Sequence, residues 1–513
     1  MKLAHLIAAV KPSSVSGLAG DGPDIAAIHC NSRGVQPGGL FVALRGLNAD
    51  GHDFVAEAFD RGAAAVVAER PFTAARPVVV VPNTRRALAE LADRFYGEPS
   101  AALTVAAVTG TNGKTTTTFI VEQILKQAGL QTGLIGTIET RYAGRTLSSP
   151  VTTPESLDLQ RILAEMRAAG TTHVVLEASS HAIDMARIHC CRMDAAVFTN
   201  LSQDHLDYHG DMAAYWETKK RLFTEYLASG PKADRATAVI NTDHVHGREL
   251  ADQVRGPLLR VGSGEGCTVR GVDLACSLTG IRGRIILPGA RFEFASPLVG
   301  RHNIENILCA AGAAVALGIP ASAIQTGIET LTSVPGRLER VEPGGGRHVY
   351  VDYSHTPDAL QNALSSLRAI GARRIICVFG CGGDRDRTKR PIMGEIAARL
   401  SELSVVTSDN PRSEAPQAII DEIVTGVRRA GARETAAAAT ATSKSFVVEA
   451  DRRRAIEIAL AAAHPGDTVL IAGKGHETYQ VIGDRKIHFD DREEAAAVLK
   501  KLRPESMAHR KER

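Results

Sequence analysis

Aromatic side chains make up only 4% of the 513 residues, and Trp216 is the single tryptophan. Platforms for stacking single-stranded nucleic acid are therefore poorly supplied. An excess of one charge is also missing: sixty Lys and Arg face fifty-seven Asp and Glu, a formal +3. That is too near neutral for a coat on nucleic acid or on an anionic membrane. The stretch from Lys500 onward holds six basic and two acidic residues, so the small excess belongs to the end of the chain. No apolar run approaches the roughly 18–20 residues of a spanning helix. The opening MKLAHLIAAVKPSS is interrupted by charge and lacks a persuasive cleavage site. Eight cysteines (Cys30, Cys190, Cys191, Cys267, Cys276, Cys309, Cys377 and Cys381) show neither metal-ligand spacing nor a dense disulfide pattern. Free thiols in a reducing compartment fit this usage, and a soluble, cytoplasmic protein is expected. With 44% hydrophobic and 23% charged residues, the chain is neither disordered nor fibrous.

At about 100–200 residues per domain, the length suggests three domains. In the first hundred residues LFVAL (40–44), AAAVVAE (63–69) and VVVVP (78–82) read as strands, with helical patterns at 54–61 and 84–95. GEPS (97–100) then breaks the pattern as a linker. LTVAAVTG opens a second unit, followed by a helix over 115–128 that stops at Gly129. THVVLEAS (172–179), DAAVFTNL (194–201) and TAVINTD (237–243) are apolar enough to need cover on both faces, as in a parallel sheet. Alternation between Cys267 and Phe294 suggests antiparallel strands added at its edge. After a break in SVPGRLERV (333–341), RHVYVDYS (347–354), RIICVFG (374–380), LSVVTSD (402–408) and DTVLIAGKG (467–475) predict a second doubly wound sheet. The biased stretch ETAAAATATSKS (434–445) reads as surface and strand edge, and the charged end as frayed.

The strongest signal is Gly110-Thr111-Asn112-Gly113-Lys114-Thr115-Thr116, placed after a strand and before a helix. Backbone N–H groups there can cradle phosphate, Lys114 can offset its charge, and the Thr115 hydroxyl can hold Mg²⁺. Val108 stands where the first glycine of the commonest spacing would be. Kinase, motor, switch and ligase all remain open on this motif alone. Glu177 ends one strand, and Asp204 and His205 follow the next; together they make a reasonable metal shell at strand ends. A helix is expected from Asp211 to Leu227. On it Lys219 aligns with Tyr215 and Leu222, while Lys220 aligns with Trp216 and Phe223, so periodicity does not separate the two lysines.

GTNGKTT, EASSHAID, NLSQDHLDYHG with YWETKKRLF, GRHNIENILCA, PGRLERV and VDYSHTPDAL occur here in one order that spans nearly the whole chain. In this the sequence resembles the Mur ligase family, ATP-dependent amino-acid ligases of peptidoglycan precursor synthesis. The resemblance implies an α/β protein of three domains. A UDP-sugar-binding domain would cover 1–100, a central P-loop parallel-sheet ATPase domain 101–334, and a Rossmann-like amino-acid-binding domain 335–513. GCGGDRDRTKRP (380–391), SDNPR (408–412) and AGKGHETYQ (472–480) are similar to the branch that adds meso-diaminopimelate to UDP-N-acetylmuramoyl-L-alanyl-D-glutamate.

Several roles follow from the resemblance. The loop Gly110, Thr111, Asn112, Gly113, Lys114, Thr115 and Thr116 would hold ATP, with Asn303, Asn306, Arg337, Asp352 and His355 around the nucleotide. Thr115, Glu177, His205 and Lys219 would form the Mg²⁺ environment, Lys219 as its carbamate (N6-carboxylysine), and Lys114, Glu177, His205 and Lys219 would serve catalysis. Cys30, Ser32, Leu47, Asn48, Ala49, Thr152, Thr153, Ser179, Met185 and Arg187 would meet the UDP-sugar. Two of these positions depart from the family: Asn31 precedes Ser32 where Asp is usual, and Met185 replaces a common Gln, removing an amide contact. Arg385, Asp409, Asn410, Pro411, Arg412, Gly473 and Glu477 would bind diaminopimelate, since a guanidinium can grip the carboxylate that lysine lacks. Without the resemblance, SDNPR reads as a strand-end turn. The implied reaction phosphorylates the substrate carboxylate to an acyl phosphate, which the amine then attacks. A monomer acting on small molecules, without nucleic acid or membrane insertion, is expected. Lysine-adding and folylpolyglutamate-type ligases share much of this pattern, and a nucleotide-gated regulator could keep the loop alone.

Overall fold

The structure, a computed structural model, describes residues 1–46, 49–342, 345–435 and 444–502. Leu47, Asn48, residues 436–443 of the biased stretch and the charged end beyond 502 lie outside the described residues. In the first hundred residues the β-branched runs form strands Gly39–Val42, Ala65–Ala68 and Val78–Val80. They pair in parallel, with their apolar side chains facing helical cover. Two short strands complete a five-stranded sheet: Ala27–His29 beside Gly39–Val42, and Ser14–Ser16 antiparallel to Val78–Val80. Helices Val55–Asp60 and Thr84–Phe95 fall on the expected helical patterns, the second capped by the Asn83 side chain accepting from Arg86 N at 3.0 Å.

The second sheet has Thr104–Thr109 at its centre, between His173–Glu177 and Ala195–Phe198, with Thr132–Ile135 and Thr237–Asn241 next outward. All these pairs are parallel. Register sets Glu177 beside Val108 and Phe198 beside Thr109, so the phosphate loop, Glu177 and the Thr199–Asn200 turn leave the sheet at one edge. On one side the sheet goes on in parallel through Leu258–Gly262 to the start of Val269–Ser277, where antiparallel strands were expected, and Gly280–Leu287 and Ala290–Ser296 are the further strands in that stretch. The helix expected over 211–227 starts at Met212, capped by Asp211, and its last turn, Leu222–Tyr226, widens into a π-helix. Such turns recur at functional sites.

The last sheet runs Glu339–Arg340, His348–Asp352, Thr468–Ala472, Ile375–Phe379, Leu403–Val406, Ser445–Val448 and Arg433–Glu434. Every neighbouring pair is parallel except the first. Tyr350, Cys377, Phe379, Val406 and Leu470 point into one apolar layer, and Val349, Val351, Ile376, Val378, Val405, Val469 and Ile471 into another. That is why these runs lack polar alternation. The chain forms two compact units. One comprises Met1–Val272, Ile285–Phe292 and Glu305–Ile328; the other comprises Asp273–Arg284, Glu293–Ile304 and the chain from Glu329.

Candidate active site

The phosphate loop is shaped by two glycines that no other residue could replace in this geometry. Gly110 has φ +148° and a Cβ there would lie 1.9 Å from Thr199 Oγ1; Gly113 has φ +85° and its Cβ would lie 2.1 Å from Asn306 Oδ1. The neighbouring strand end clamps the loop. Asn112 N donates to Asn200 Oδ1 at 2.9 Å, Thr199 Oγ1 donates to Asn112 O at 2.6 Å, and Thr111 Oγ1 donates to Ser202 O at 3.1 Å. Lys114 Nζ donates to Gly110 O at 2.9 Å and to Thr111 O at 2.8 Å. Thr115 and Thr116 are buried in the first turn of helix Lys114–Gln127.

Here the two adjacent lysines separate. Lys219 Nζ also donates to Gly110 O, at 2.9 Å, and is 1% exposed. Lys220 turns to Glu217 and lies 5.7 Å from the Trp216 ring centroid. Burial, followed by the nearby Lys114 charge, pushes the Lys219 amine well below the ordinary lysine range, against a smaller opposing effect of Asp204. Glu177 is buried beside the loop. Its Oε2 accepts from Thr115 Oγ1 at 3.1 Å and from Thr137 Oγ1 at 3.0 Å, while Oε1 accepts from Thr137 N at 2.9 Å. Thr137 has no signal of its own in the sequence; it is placed by a sharp turn after Thr132–Ile135, where a Cβ on Gly136 would strike Glu177 Oε1.

His205 stands at φ +53° with its ring 5.0 Å from that of His181 and 6.1 Å from that of Tyr215. Burial holds the His205 imidazole below its usual range. Among the described residues no three His, Cys, Asp or Glu side chains gather as a metal-ligand set. The donors beside the loop are instead the Thr115 hydroxyl and the Glu177 carboxylate, hard oxygens of the kind that hold Mg²⁺ together with phosphate oxygens.

Of the expected UDP-sugar residues, Thr152, Thr153, Ser179 and Arg187 come together. Thr137 Oγ1 lies 3.1 Å from Thr152 Oγ1, Thr153 Oγ1 lies 3.3 Å from Ser179 Oγ, and Arg187 Nη1 donates to Thr153 O at 3.0 Å. Met185 lies against this arginine, with Sδ 3.5 Å from Nη2. Cys30, Ser32 and Ala49 lie in loops and a short turn around the first sheet, and Glu155, which pairs with Arg187 at 3.6 Å, also acts on Cys30. Ser32 Oγ donates to Glu57 Oε2 at 3.1 Å, Asn31 caps Arg33 N, Ala49 O accepts from Gly46 N, and burial pushes the Cys30 thiol up to about 11.

In the second unit the strand ends carry the remaining residues. Asp352 Oδ2 accepts from Leu338 N at 2.7 Å, His355 Nδ1 lies 2.9 Å from Tyr353 O, and the Arg337 guanidinium lies 5.5 Å from the Tyr353 ring. These three therefore surround one turn. Asn303 Nδ2 donates to Val299 O at 2.7 Å; in the first unit, Thr117 Oγ1 donates to Asn306 Oδ1 at 3.5 Å. Asp409 and Asn410 follow Leu403–Val406 and are buried, and Asn410 Nδ2 donates to Glu477 Oε2 at 2.9 Å. Gly473, at φ +119°, brings the next strand end to within 3.0 Å of Asp409 Oδ2, measured from where a Cβ would stand. Arg412 Nη1 donates to Gly383 O at 2.7 Å, and Pro411 packs against Gly383 so closely that a Cβ there would be 1.9 Å from its carbonyl. Arg385 is exposed, donating to Asp384 O at 3.0 Å. One residue at the centre of this group was not singled out by sequence: Lys474, inside AGKGHE, is fully buried.

A clamped phosphate loop on a parallel sheet, with polar residues gathered at the strand ends of a second doubly wound sheet, defines an α/β nucleotide-binding protein with a Rossmann-like unit. Family models narrow the class. Residues 24–96 match the Mur ligase family catalytic domain, 108–314 the Mur ligase middle domain, and 336–475 the Mur ligase glutamate ligase domain. The chain belongs to the Mur ligase family. It is 48% identical over 507 residues, 98% of this chain and 99% of the other, to the UDP-N-acetylmuramoyl-L-alanyl-D-glutamate--2,6-diaminopimelate ligase of Geobacter metallireducens. It is 46% identical over 505 residues, 98% and 99% of the two chains, to the protein of that name from Geobacter sulfurreducens. A solved structure of a ligase of that name superposes with a TM-score of 0.68 at 32% identity, covering 93% of this chain and 95% of the other. MurF ligase from Thermotoga maritima in complex with ADP, 22% identical with a TM-score of 0.60 and covering 93% and 97%, shares the fold. Among the described residues no helix is long and apolar enough to cross a membrane.

Proposed function

We propose that this chain joins meso-diaminopimelate to UDP-N-acetylmuramoyl-L-alanyl-D-glutamate with conversion of ATP to ADP, as a cytoplasmic monomer in peptidoglycan precursor synthesis. The observation that carries the reading is the second lysine at the phosphate loop: Lys219 and Lys114 donate to one carbonyl, Gly110 O, at 2.9 Å each. A phosphate loop alone serves any nucleotide enzyme. A buried amine held beside it, with its proton affinity lowered, suits addition of CO₂ to give a carbamate and a proton. The names of the near full-length relatives support the choice of substrates. Residues 1–100, 101–334 and 335–513 then act as UDP-sugar, ATP and amino-acid domains.

In this reading Lys114 and the loop N–H groups hold the ATP phosphates, while Thr152, Thr153, Ser179 and Arg187 orient the UDP-sugar, aided by Ser32. Thr115, Glu177, His205 and carbamylated Lys219 would hold Mg²⁺, which when bound would neutralise phosphate charge. The substrate carboxylate attacks the γ-phosphorus, forming an acyl phosphate and releasing ADP; Lys114 offsets the repulsion between these anions. The uncharged amine of diaminopimelate then attacks the acyl carbon, phosphate leaves, and the amine proton passes to solvent. Arg412 and Arg385 grip the distal carboxylate, and Asp409, Asn410 and Glu477 take the distal ammonium. Lysine lacks the carboxylate that Arg412 would grip and should be rejected strongly. An assay of ADP release over a panel of amino acids tests this reading. Turnover is expected with diaminopimelate and the UDP-muramoyl dipeptide together; turnover with lysine, or with no amino acid, overturns it.

A further inference from the structure

The buried side chain of Lys474 is unexplained by any role above. Its Nζ has three acceptors: Asn410 Oδ1 at 3.2 Å, Glu477 Oε2 at 3.3 Å and Asp409 Oδ1 at 3.5 Å. The side chain is 0% exposed, against 8% for Asp409 and 17% for Glu477. Asn410 is locked between the two, its Oδ1 also accepting from Val481 N at 3.0 Å and its Nδ2 donating to Glu477 Oε2 at 2.9 Å. The Tyr479 ring closes the group, its centroid 5.6 Å from Nζ. Behind them Arg452 and Asp491 form a fully buried bidentate pair, both contacts 2.7 Å, that cancels its own charge. The hydrogen-bonded group thus holds one cation, Lys474, between two carboxylates, Asp409 and Glu477.

We propose that Lys474 is a positioning residue that fixes Asn410 and Glu477 and leaves this cluster one positive charge short, so that the ammonium of the incoming amino acid completes it. Within the hydrogen-bonded group Asp409 and Glu477 outnumber Lys474 by one charge, and Glu477, at 17% exposure, keeps an open side from which a further cation can reach it. Both oxygens of Glu477 cannot serve that cation: Oε2 is taken by Lys474 and Asn410, which leaves Oε1 as the acceptor for the substrate. Selection for an amino acid with a second ammonium group is then a matter of charge count as well as shape. The inference rests on the diaminopimelate reading of the site.

The test is steady-state kinetics of the full-length enzyme with each substrate varied in turn. Lys474→Met should raise KM for diaminopimelate on the order of 100-fold, with KM for ATP and for the UDP-muramoyl dipeptide unchanged. The double variant Asp409→Asn with Lys474→Met restores the original charge count but not the anchor of Asn410 and Glu477, so its KM for diaminopimelate should be no lower than that of Lys474→Met. Asp409→Asn alone, which keeps Lys474 and makes the cluster neutral, should raise KM for diaminopimelate about tenfold and serves if Lys474→Met does not fold. An unchanged KM in the folded single variants, a parallel rise in all three KM values, or a double variant tenfold or more better than Lys474→Met overturns the inference. Failure of the wild-type enzyme to use diaminopimelate overturns the underlying reading instead.

Discussion

Lys219 and Lys220 are neighbours, both buried, each aligned with an aromatic residue four positions earlier, yet their ammonium groups meet different chemistry. Lys219→Ala is expected to lower the rate of ADP formation by 10²-fold or more, as loss of a group that acts on developing charge does. Lys220→Ala, losing an ion pair to a 67% exposed Glu217, should stay within about threefold. Equal rates for the two variants remove the assignment. Gly113→Ala should abolish nucleotide binding by calorimetry while the protein stays folded, because its Cβ would displace Asn306 and its φ is +85°. His476 is also informative at this scale. Burial, helped by the Arg337 charge, pushes its pKa down to about 4, and its Nδ1 has no hydrogen bond among the described residues. The unfolded chain therefore binds a proton between about pH 6.5 and 4 that the folded chain refuses, so stability falls as pH drops through that window. His476→Gln should lose roughly 2–3 kcal/mol less between pH 7 and 4.5 in urea unfolding; an identical loss in both proteins counts against this. The loop residues and Glu177 were legible because motif spacing and strand ends carry them. Thr137 and Lys474 were not, since only the fold brings Thr137 to Glu177 and Lys474 to Asp409 and Asn410.

At the scale of elements, the strands that sequence disclosed were the runs buried on both faces, such as Thr104–Thr109 and Ile375–Phe379. Among the strands it left unread, Ser14–Ser16, Glu139–Tyr142 and Arg145–Ser148 are short, and two of them are exposed along their whole length, so no apolar pattern marks them; Thr132–Ile135, though mostly buried, was missed because Gly133 interrupts its four residues. Periodicity also could not show where helices touch. Helices Lys389–Leu400 and Pro416–Arg429 approach through glycines: a Cβ on Gly426 would lie 1.7 Å from Pro391 O, and one on Gly394 2.2 Å from Ile423 O. Gly426→Ala must push these helices apart and should cost about 1–3 kcal/mol, read as a lower melting temperature. Gly431→Ala, with nothing within 4 Å of the added carbon but φ +81°, should cost about 1 kcal/mol, from backbone strain alone.

At the scale of the molecule, the first unit joins two sheets across the linker. Arg192 pairs with Asp93 at 3.2 Å and with Glu98 at 2.9 Å, and Arg167 Nη1 donates to Gly97 O at 3.0 Å. Burial raises the Asp93 carboxyl to about 6 despite that arginine. Arg192→Ala leaves a carboxyl that already binds a proton near pH 6 without its partner, a loss of about 1–3 kcal/mol. Calorimetry should show the transition of the first unit move down by several degrees while that of the second stays. A single shift shared by both would show that they unfold together.

The carbonyl of Gly110 has two lone pairs, and two lysine nitrogens share it. In the proposed reaction carbon dioxide is thereby a hidden reactant: its addition to the Lys219 amine, with loss of a proton, would put an anion beside Lys114. Enzyme degassed and stored at low pH should begin slowly and accelerate when bicarbonate is supplied, so the history of the sample, not only its composition, sets the first minutes of turnover.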